Sequence, residues 1–331
     1  MRGRVRGVPA VISPGIGGCG VETLGWRHDR KGGRGGLSER GGGARGGGLV
    51  RLGSRGDAHA VLSLFLGCFF YLDFLDLGMD VITGEILVLA STPSFDPNSF
   101  VLGIGQEAFA SLNNNPYRPL FNKATTGLYA PASTVKLMSS LAALEHGVVD
   151  PEETIYCGGH TRLGNRDFHC WRRQGHGRVN LHDAVKGSCD VYFYEMANRL
   201  GIERYNEMME SCGLGQYFDI GLPFPRRAEG LVPSPAWKRS RRNEPWTTGD
   251  TYNVGIGQGA LLSSPLQLAV MTARIATGRR VVPTLTRIEG AAPDFASMGW
   301  NEEHLEHVRR GLGAPSEVLI VAGVGRRRRV P

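Results

Sequence analysis

The chain has no long hydrophobic run. Its stretch AVLSLFLGCFFYL, from Ala60 to Leu72, ends at Asp73 after thirteen residues, where a membrane-spanning helix needs roughly 18. The run also lies too far from Met1 for an ordinary signal peptide. It therefore reads as a buried or spurious segment, a degraded anchor, or a membrane-associated stretch. Large apolar side chains are scarce in residues 1–56, which hold 19 of the 48 glycines. A segment such as RKGGRGGLSERGGGARGGGLV cannot build a core and reads as disordered or as foreign to the fold. Nucleic-acid-reading motifs are absent as well. The net charge of +7 is uneven, with +8 in residues 1–56 and +4 in Arg326–Arg329, so the body between them carries −5. A basic excess confined to the ends, without a reading motif, gives no nucleic-acid partner.

From about Met79 the local signals agree with one another. MDVITGEILVLAST predicts strand, Thr-Gly turn, strand, with Ile86 to Leu89 apolar enough for one buried strand. SFDPNSF and SLNNNPYRPLFNKATTG are turn-rich, as a loop crossing a cleft would be. Pro131 then precedes a helix that starts near Ser133, buries Leu137, Met138, Leu141 and Leu144 on one stripe, and stops at Gly147. Ser133 and Lys136 are the chain's one Ser-x-x-Lys spacing, and two readings of them stand side by side. Residues i and i+3 share a helix face, the free N–H groups of a helix start favour charge on Ser133 Oγ, and a desolvated Lys136 could serve as base. Equally, Ser133 could be a helix cap and Lys136 a solvated first-turn residue.

KGSCDVYFYEMANRLG places Ser188, Cys189 and Asp190 directly before a second helix ending at Gly201, where capping is again the plain alternative. A third helix is capped by Ser264, carries Pro265 in its first turn and ends at Gly278. YAPASTVK, SCDVYFYEMANRLGI, GLVPSPAWK, GDTYNVGIGQG and SPLQLA together resemble the transpeptidase domain of the penicillin-binding protein 2 family, class B enzymes that cross-link peptidoglycan. The resemblance implies an α/β (α+β) fold, a mainly antiparallel sheet flanked by helices. It implies Ser133 as nucleophile, Lys136 as its base, Ser188 as the relay to the leaving amine, and Asp190 where many relatives carry Asn. The N–H of Ser133 would be half of an oxyanion hole. Also implied are stem peptides ending in D-Ala-D-Ala and β-lactams as ligands, elongation-complex membrane proteins as partners, and a catalytic domain on the periplasmic side of the inner membrane. Acyl transfer of this kind needs no cofactor. A non-cross-linking penicillin-binding remnant and a β-lactamase or β-lactam sensor are the alternatives on the same fold.

The resemblance covers residues 79–312. Beyond it, GAPSEVLIVAGVGRRRRVP (313–331) is a basic tail unlike the family, and the 331 residues contain neither Lys-Thr-Gly nor Lys-Ser-Gly. In the family that triplet binds the substrate carboxylate on a strand edging the site, so the sheet is expected to be truncated at its C-terminal strands. An anchor and pedestal domain are expected before Met79, where residues 1–78 show the Gly/Arg-rich run instead. Both ends read as GC-rich DNA translated out of frame, or as a broken gene.

Cys157, Cys170 and His176 fall between the two catalytic motifs, with His160, Asp167 and His169 interleaved. Thiolates and imidazole in such proximity suit a structural zinc, with Asp167 or His169 as fourth ligand, and some members of the family are similar in holding a metal in this region. A Cys157–Cys170 disulfide and plain buried thiols are the rival readings. Cys189 reads as a packed side chain.

Overall fold

The computed structural model describes the backbone of residues 61–66 and the whole of residues 75–222 and 228–311. The expectations for residues 1–56 and for the basic tail 313–331 lie outside the described residues. Three antiparallel strands, β1 (Val61–Leu66), β2 (Leu75–Asp80) and β3 (Ile86–Ser91), form a sheet in the order β1-β2-β3, with Leu64 opposite Leu77 and Leu77 opposite Leu89. The β2–β3 turn lies where the Thr-Gly pair predicts it. Asp80 Oδ1 accepts from the N–H of Ile82 and Thr83 at 2.8 and 2.9 Å, an Asx-type turn.

Two expectations about this sheet need correction. The ordered framework starts before Met79: β2 begins at Leu75, and part of the apolar run 60–72 pairs with it as β1. Leu75, Leu77 and Met79 are all buried, as are Gly78 and Asp80, and pairing on both sides carries the strand back past the point where the local turn signals begin. Nor is β3 a buried strand, since Leu87 is 50% and Val88 38% exposed. It ends the sheet among the described residues, and only Ile86 and Leu89 pack against the core.

Short helices α1 (Asn98–Val101) and α2 (Gln106–Asn113) follow in the turn-rich segment and bury nothing. A 3₁₀ turn (Ala132–Val135) leads into α3 (Lys136–Glu145). All residues from Lys136 to Leu144 are buried, not one stripe alone. Leu137, Met138, Leu141 and Leu144 make the apolar face, while Ser139, Ser140, Ala142 and Ala143 are small enough for neighbouring helices to close on the other side. Ser139 and Ser140 satisfy their hydroxyls on the carbonyls of Val135 and Lys136. A helix covered all round is central to its fold.

Two small antiparallel ladders come next: β4 (Ile155–Cys157) with β7 (Gly177–Val179), and inside them the hairpin β5 (His160–Leu163) with β6 (Arg166–His169). Helices α4 (Leu181–Lys186), α5 (Asp190–Leu200) and α6 (Ile202–Ser211) then pack on α3. Helices α7 (Pro235–Arg242) and α8 (Thr248–Gly255) carry the SPAWK and GDTYNVG segments, and α8 packs on α5. Helix α9 (Pro265–Thr277) lies on β1 and β2. It opens with a capping box, Ser264 with Gln267, has Pro265 in the first turn, and closes on Gly278 at φ +66°, as its caps predict. Helix α10 (Glu302–Gly311) docks on α4 and α3, where Glu145 Oε1 accepts from Asn301 N–H at 2.9 Å and pairs with His304 Nδ1 at 2.7 Å. No described helix is long and apolar enough to cross a membrane.

Candidate active site and thiol–imidazole cluster

The segment before α3 is forced into an uncommon shape. Ala132 has φ +52°, left-handed for a residue with a side chain, and its N–H donates to Gly257 O at 2.8 Å. Gly257, at φ +69°, approaches so closely that a Cβ there would lie 2.1 Å from Ala132 O. Only glycine fits. Ser133 follows on this turn and is exposed. The cap positions are Pro131 and Val135, neither with a side-chain cap bond, so Ser133 is not a helix cap. Lys136 is not solvated either, being 2% exposed.

Lys136 Nζ donates to Asp190 Oδ1 at 2.6 Å, to Ser188 O at 2.9 Å and to Ser188 Oγ at 3.0 Å, and lies 5.4 Å from the centre of the Phe193 ring. Those three bonds use all the donors of an ammonium group. Among the described residues Ser133 Oγ is not hydrogen-bonded to it. Ser188 reaches the lysine from a left-handed backbone, φ +51°. Asp190 Oδ2 accepts from Trp171 N–H at 2.8 Å, and Trp171 Nε1 donates to Gly187 O and Ser188 O, both at 3.1 Å. The N-cap of α5 is Cys189, without a side-chain cap bond. Ser188 and Asp190 thus spend their side chains on Lys136 instead of on the helix end. Of the four residues predicted as a catalytic set, Ser133 lies on the 3₁₀ turn, Lys136 opens α3, Ser188 precedes α5 and Asp190 opens it, and the last three are in direct contact. Trp171, which buttresses two of them, carries no sequence signal beyond its place next to Cys170.

The second constellation differs from its prediction. Cys157 Sγ, Cys170 Sγ, Cys189 Sγ and a ring nitrogen of His176 all lie within 4.8 Å of one another. His176 Nδ1 is 3.7 Å from Cys157 Sγ and 3.5 Å from Cys170 Sγ, while its Nε2 is 3.0 Å from Gly187 O. With Nε2 donating to that carbonyl, the Nδ1 lone pair faces the thiols, the orientation a metal-bound histidine takes. The cysteines are free and buried, and burial drives the Cys189 thiol far above its ordinary pKa. Three sulfurs and one imidazole nitrogen at these separations suit a tetrahedral zinc shell.

Asp167 and His169 stand outside this group. Both are on β6 and exposed, Asp167 facing Arg162 across the hairpin at 3.9 Å and His169 opposite His160 with ring centres 5.9 Å apart. Strand alternation sends their neighbour Phe168 inward and these two out. The fourth member is Cys189, delivered from the start of α5. No local spacing pointed to it, since Cys189 enters from a different element.

Residues 77–312 match the family described as "Penicillin binding protein transpeptidase domain". The chain is 43% identical over 222 residues to "Peptidoglycan D,D-transpeptidase MrdA" of Acinetobacter baumannii, a match covering 66% of this chain and 33% of that one. To the protein of the same name from Escherichia coli K12 it is 39% identical over 225 residues, covering 67% and 35%. It spans about a third of the length of these relatives. Among solved structures, Pseudomonas aeruginosa PBP2 in complex with WCK 5153 superposes with a TM-score of 0.66 at 37% identity, covering 72% of this chain and 53% of that one. The complex between PBP2 and MreC from Helicobacter pylori gives 0.66 at 34% identity, covering 72% and 44%. A family pattern that covers residues 77–312 of the 331, identities of this size and a shared fold lead to one conclusion: the chain belongs to the penicillin-binding protein transpeptidase domain family.

Proposed function

We propose that this domain is the acyl-transfer module of a peptidoglycan D,D-transpeptidase. The observation that carries the reading is the bonded set at Lys136, one turn beyond Ser133, with Ser188 Oγ at 3.0 Å and Asp190 Oδ1 at 2.6 Å. Ser133 Oγ attacks the carbonyl of the penultimate D-Ala of a stem peptide. The C–O bond forms, the peptide C–N bond breaks, and the terminal D-Ala leaves as an amine carrying the proton that Ser133 gave up. An amine of a neighbouring stem then attacks the ester, making the cross-linking amide and returning a proton to Ser133 Oγ. In the reacting form Lys136 is neutral: its Nζ takes the proton of Ser133 and returns one to Ser188 Oγ as that hydroxyl gives its own to the leaving nitrogen, while Asp190 holds Lys136 in register. The N–H of Ser133, in a first turn whose N–H groups lack intrahelical acceptors, is one oxyanion donor. A β-lactam opens to the same kind of acyl-enzyme. By extension from the relatives, the module works on the periplasmic side of the inner membrane, beside membrane proteins of the elongation complex.

The 331 residues lack Lys-Thr-Gly, which in the family binds the substrate carboxylate and neighbours the second oxyanion donor, and loss of one such donor alone costs about 3 to 4 kcal/mol, roughly 10² to 10³ in rate. Labelled penicillin is therefore expected to acylate this chain slowly or below detection. A chimera in which residues 313–331 are replaced by the segment that follows the matched region in the E. coli relative is expected to label fast, on the peptide holding Ser133. Ser133→Ala in the chimera should abolish the label. Label on another serine removes Ser133 as nucleophile, and rapid hydrolytic release of the label makes the protein a β-lactamase instead.

We also propose that Cys157, Cys170, Cys189 and His176 Nδ1 hold one zinc ion. A closed Cys₃His shell leaves no open coordination position, so the ion supplies structure and no step of acyl transfer.

A further inference from the structure

Helix α7 places Lys238, Arg239, Arg241 and Arg242 within five residues. Lys238 is buried and neutralised, with Asp250 Oδ2 at 2.7 Å and Glu244 Oε2 at 3.5 Å. The three arginines are exposed and form no ion pair among the described residues; Arg242 only lies over the Trp237 ring, 5.3 Å from its centre. The dipole of a helix end favours cations in the last turn. Yet Arg239 and Arg242 stand at i,i+3, and Lys238 and Arg242 at i,i+4, spacings at which like charges repel.

The same turn is linked to the nucleophile. Lys238 bonds Asp250, and Asp250 closes the capping box that starts α8. Helix α8 runs into Gly257, whose carbonyl holds the N–H of Ala132 beside Ser133. Whatever the arginines bind must suit a surface on this framework. We infer that the C-terminal turn of α7 is a docking surface for the carboxylates of peptidoglycan strands, an inference that rests on the transpeptidase reading. Guanidinium groups pair with carboxylates through two parallel bonds. Stem peptides end in a free carboxylate and recur along a strand, so exposed pairs that are individually weak add up along one polymer. A bilayer offers anions too, but no peptide to Ser133.

The test is residue-resolved, so that arginines elsewhere in the full chain do not enter it. Phenylglyoxal modification of Arg239, Arg241 and Arg242 is read by peptide mass mapping with uncross-linked glycan strands present, with the same strands after amidation of their carboxyl groups, and with phosphatidylglycerol vesicles. Native strands should slow modification of the three arginines, and Arg239→Gln/Arg241→Gln/Arg242→Gln should weaken strand binding about tenfold at low salt. Equal protection by amidated strands, protection by vesicles alone, or none at all overturns the proposal. Because the readout is binding, it can fail while Ser133 still labels with penicillin, which separates this inference from the reading beneath it.

Discussion

Lys136 and Asp190 form an ion pair whose side chains are 3% and 11% exposed, so neither charge can be solvated if the other is removed. Breaking a buried pair from one side costs about 3 to 5 kcal/mol, and Asp190→Ala should lower the unfolding free energy by that amount in urea titrations. Asp190→Asn, which keeps an acceptor for Lys136 Nζ, should cost less. Equal losses would mean that the carboxylate charge contributes nothing here. The same residues show which part of the site can be read without coordinates. Ser133 with Lys136, and Ser188 with Asp190, are local spacings at helix starts, where short-range geometry dictates who is neighbour to whom. Trp171 and Cys189 act across distances that no local pattern encodes: the indole N–H pins a loop sixteen residues away, and Cys189 enters the sulfur cluster from a different element. Asp167 was legible as a ligand by its proximity in the chain, but the alternation of β6 turns it outward.

At the scale of elements, α7 and α8 are joined by one polar clasp. Asp250 Oδ2 accepts from Lys238 Nζ at 2.7 Å, Thr247 N at 2.8 Å and Thr247 Oγ1 at 2.7 Å. Burial acts to raise the Asp250 carboxyl, but the bonds from Lys238 and Thr247 outweigh it and hold the group below its ordinary value. Lys238 is held above its ordinary value by the bond to Asp250. A depressed carboxyl contributes stability that is complete above its unfolded pKa, about 3.9, and is lost as pH falls through the folded value; the raised lysine contributes stability lost above about 10.4. Asp250→Asn should therefore cost about 2 kcal/mol at pH 7 and flatten the decline of stability below pH 4. A variant that keeps the acid decline of the parent would assign it to other carboxylates. Helix α9 and the β2–β3 turn were legible because caps and turn residues act within four positions. The exposure of β3 was not, since an apolar run looks the same whether one face of a strand is covered or both.

For the molecule as a whole, the cluster ties the short ladders, through β4, the end of β6 and the approach to β7, to the start of the buried helix α5. Purified under reducing conditions without chelator, the protein should carry close to one equivalent of zinc, and stripping it should lower the melting temperature by on the order of 10 °C. Cys189→Ser should lose the metal and Asp167→Asn should keep it; the reverse pattern would restore the ligand set expected from the chain order. Between Gly187 and Val191 three consecutive side chains serve two destinations: Ser188 and Asp190 meet Lys136 Nζ, and Cys189 between them goes to the sulfurs. A substitution there alters one contact, whereas an inserted or deleted residue redirects all three side chains at once. In this stretch the length of the polypeptide is therefore under the same constraint as its chemistry. The tip of the β5–β6 hairpin has no such burden: no atom lies within 4 Å of where a Cβ on Gly164 would sit, although its φ of +60° favours glycine, so an extra residue is expected to be tolerated at that tip and not at the serine.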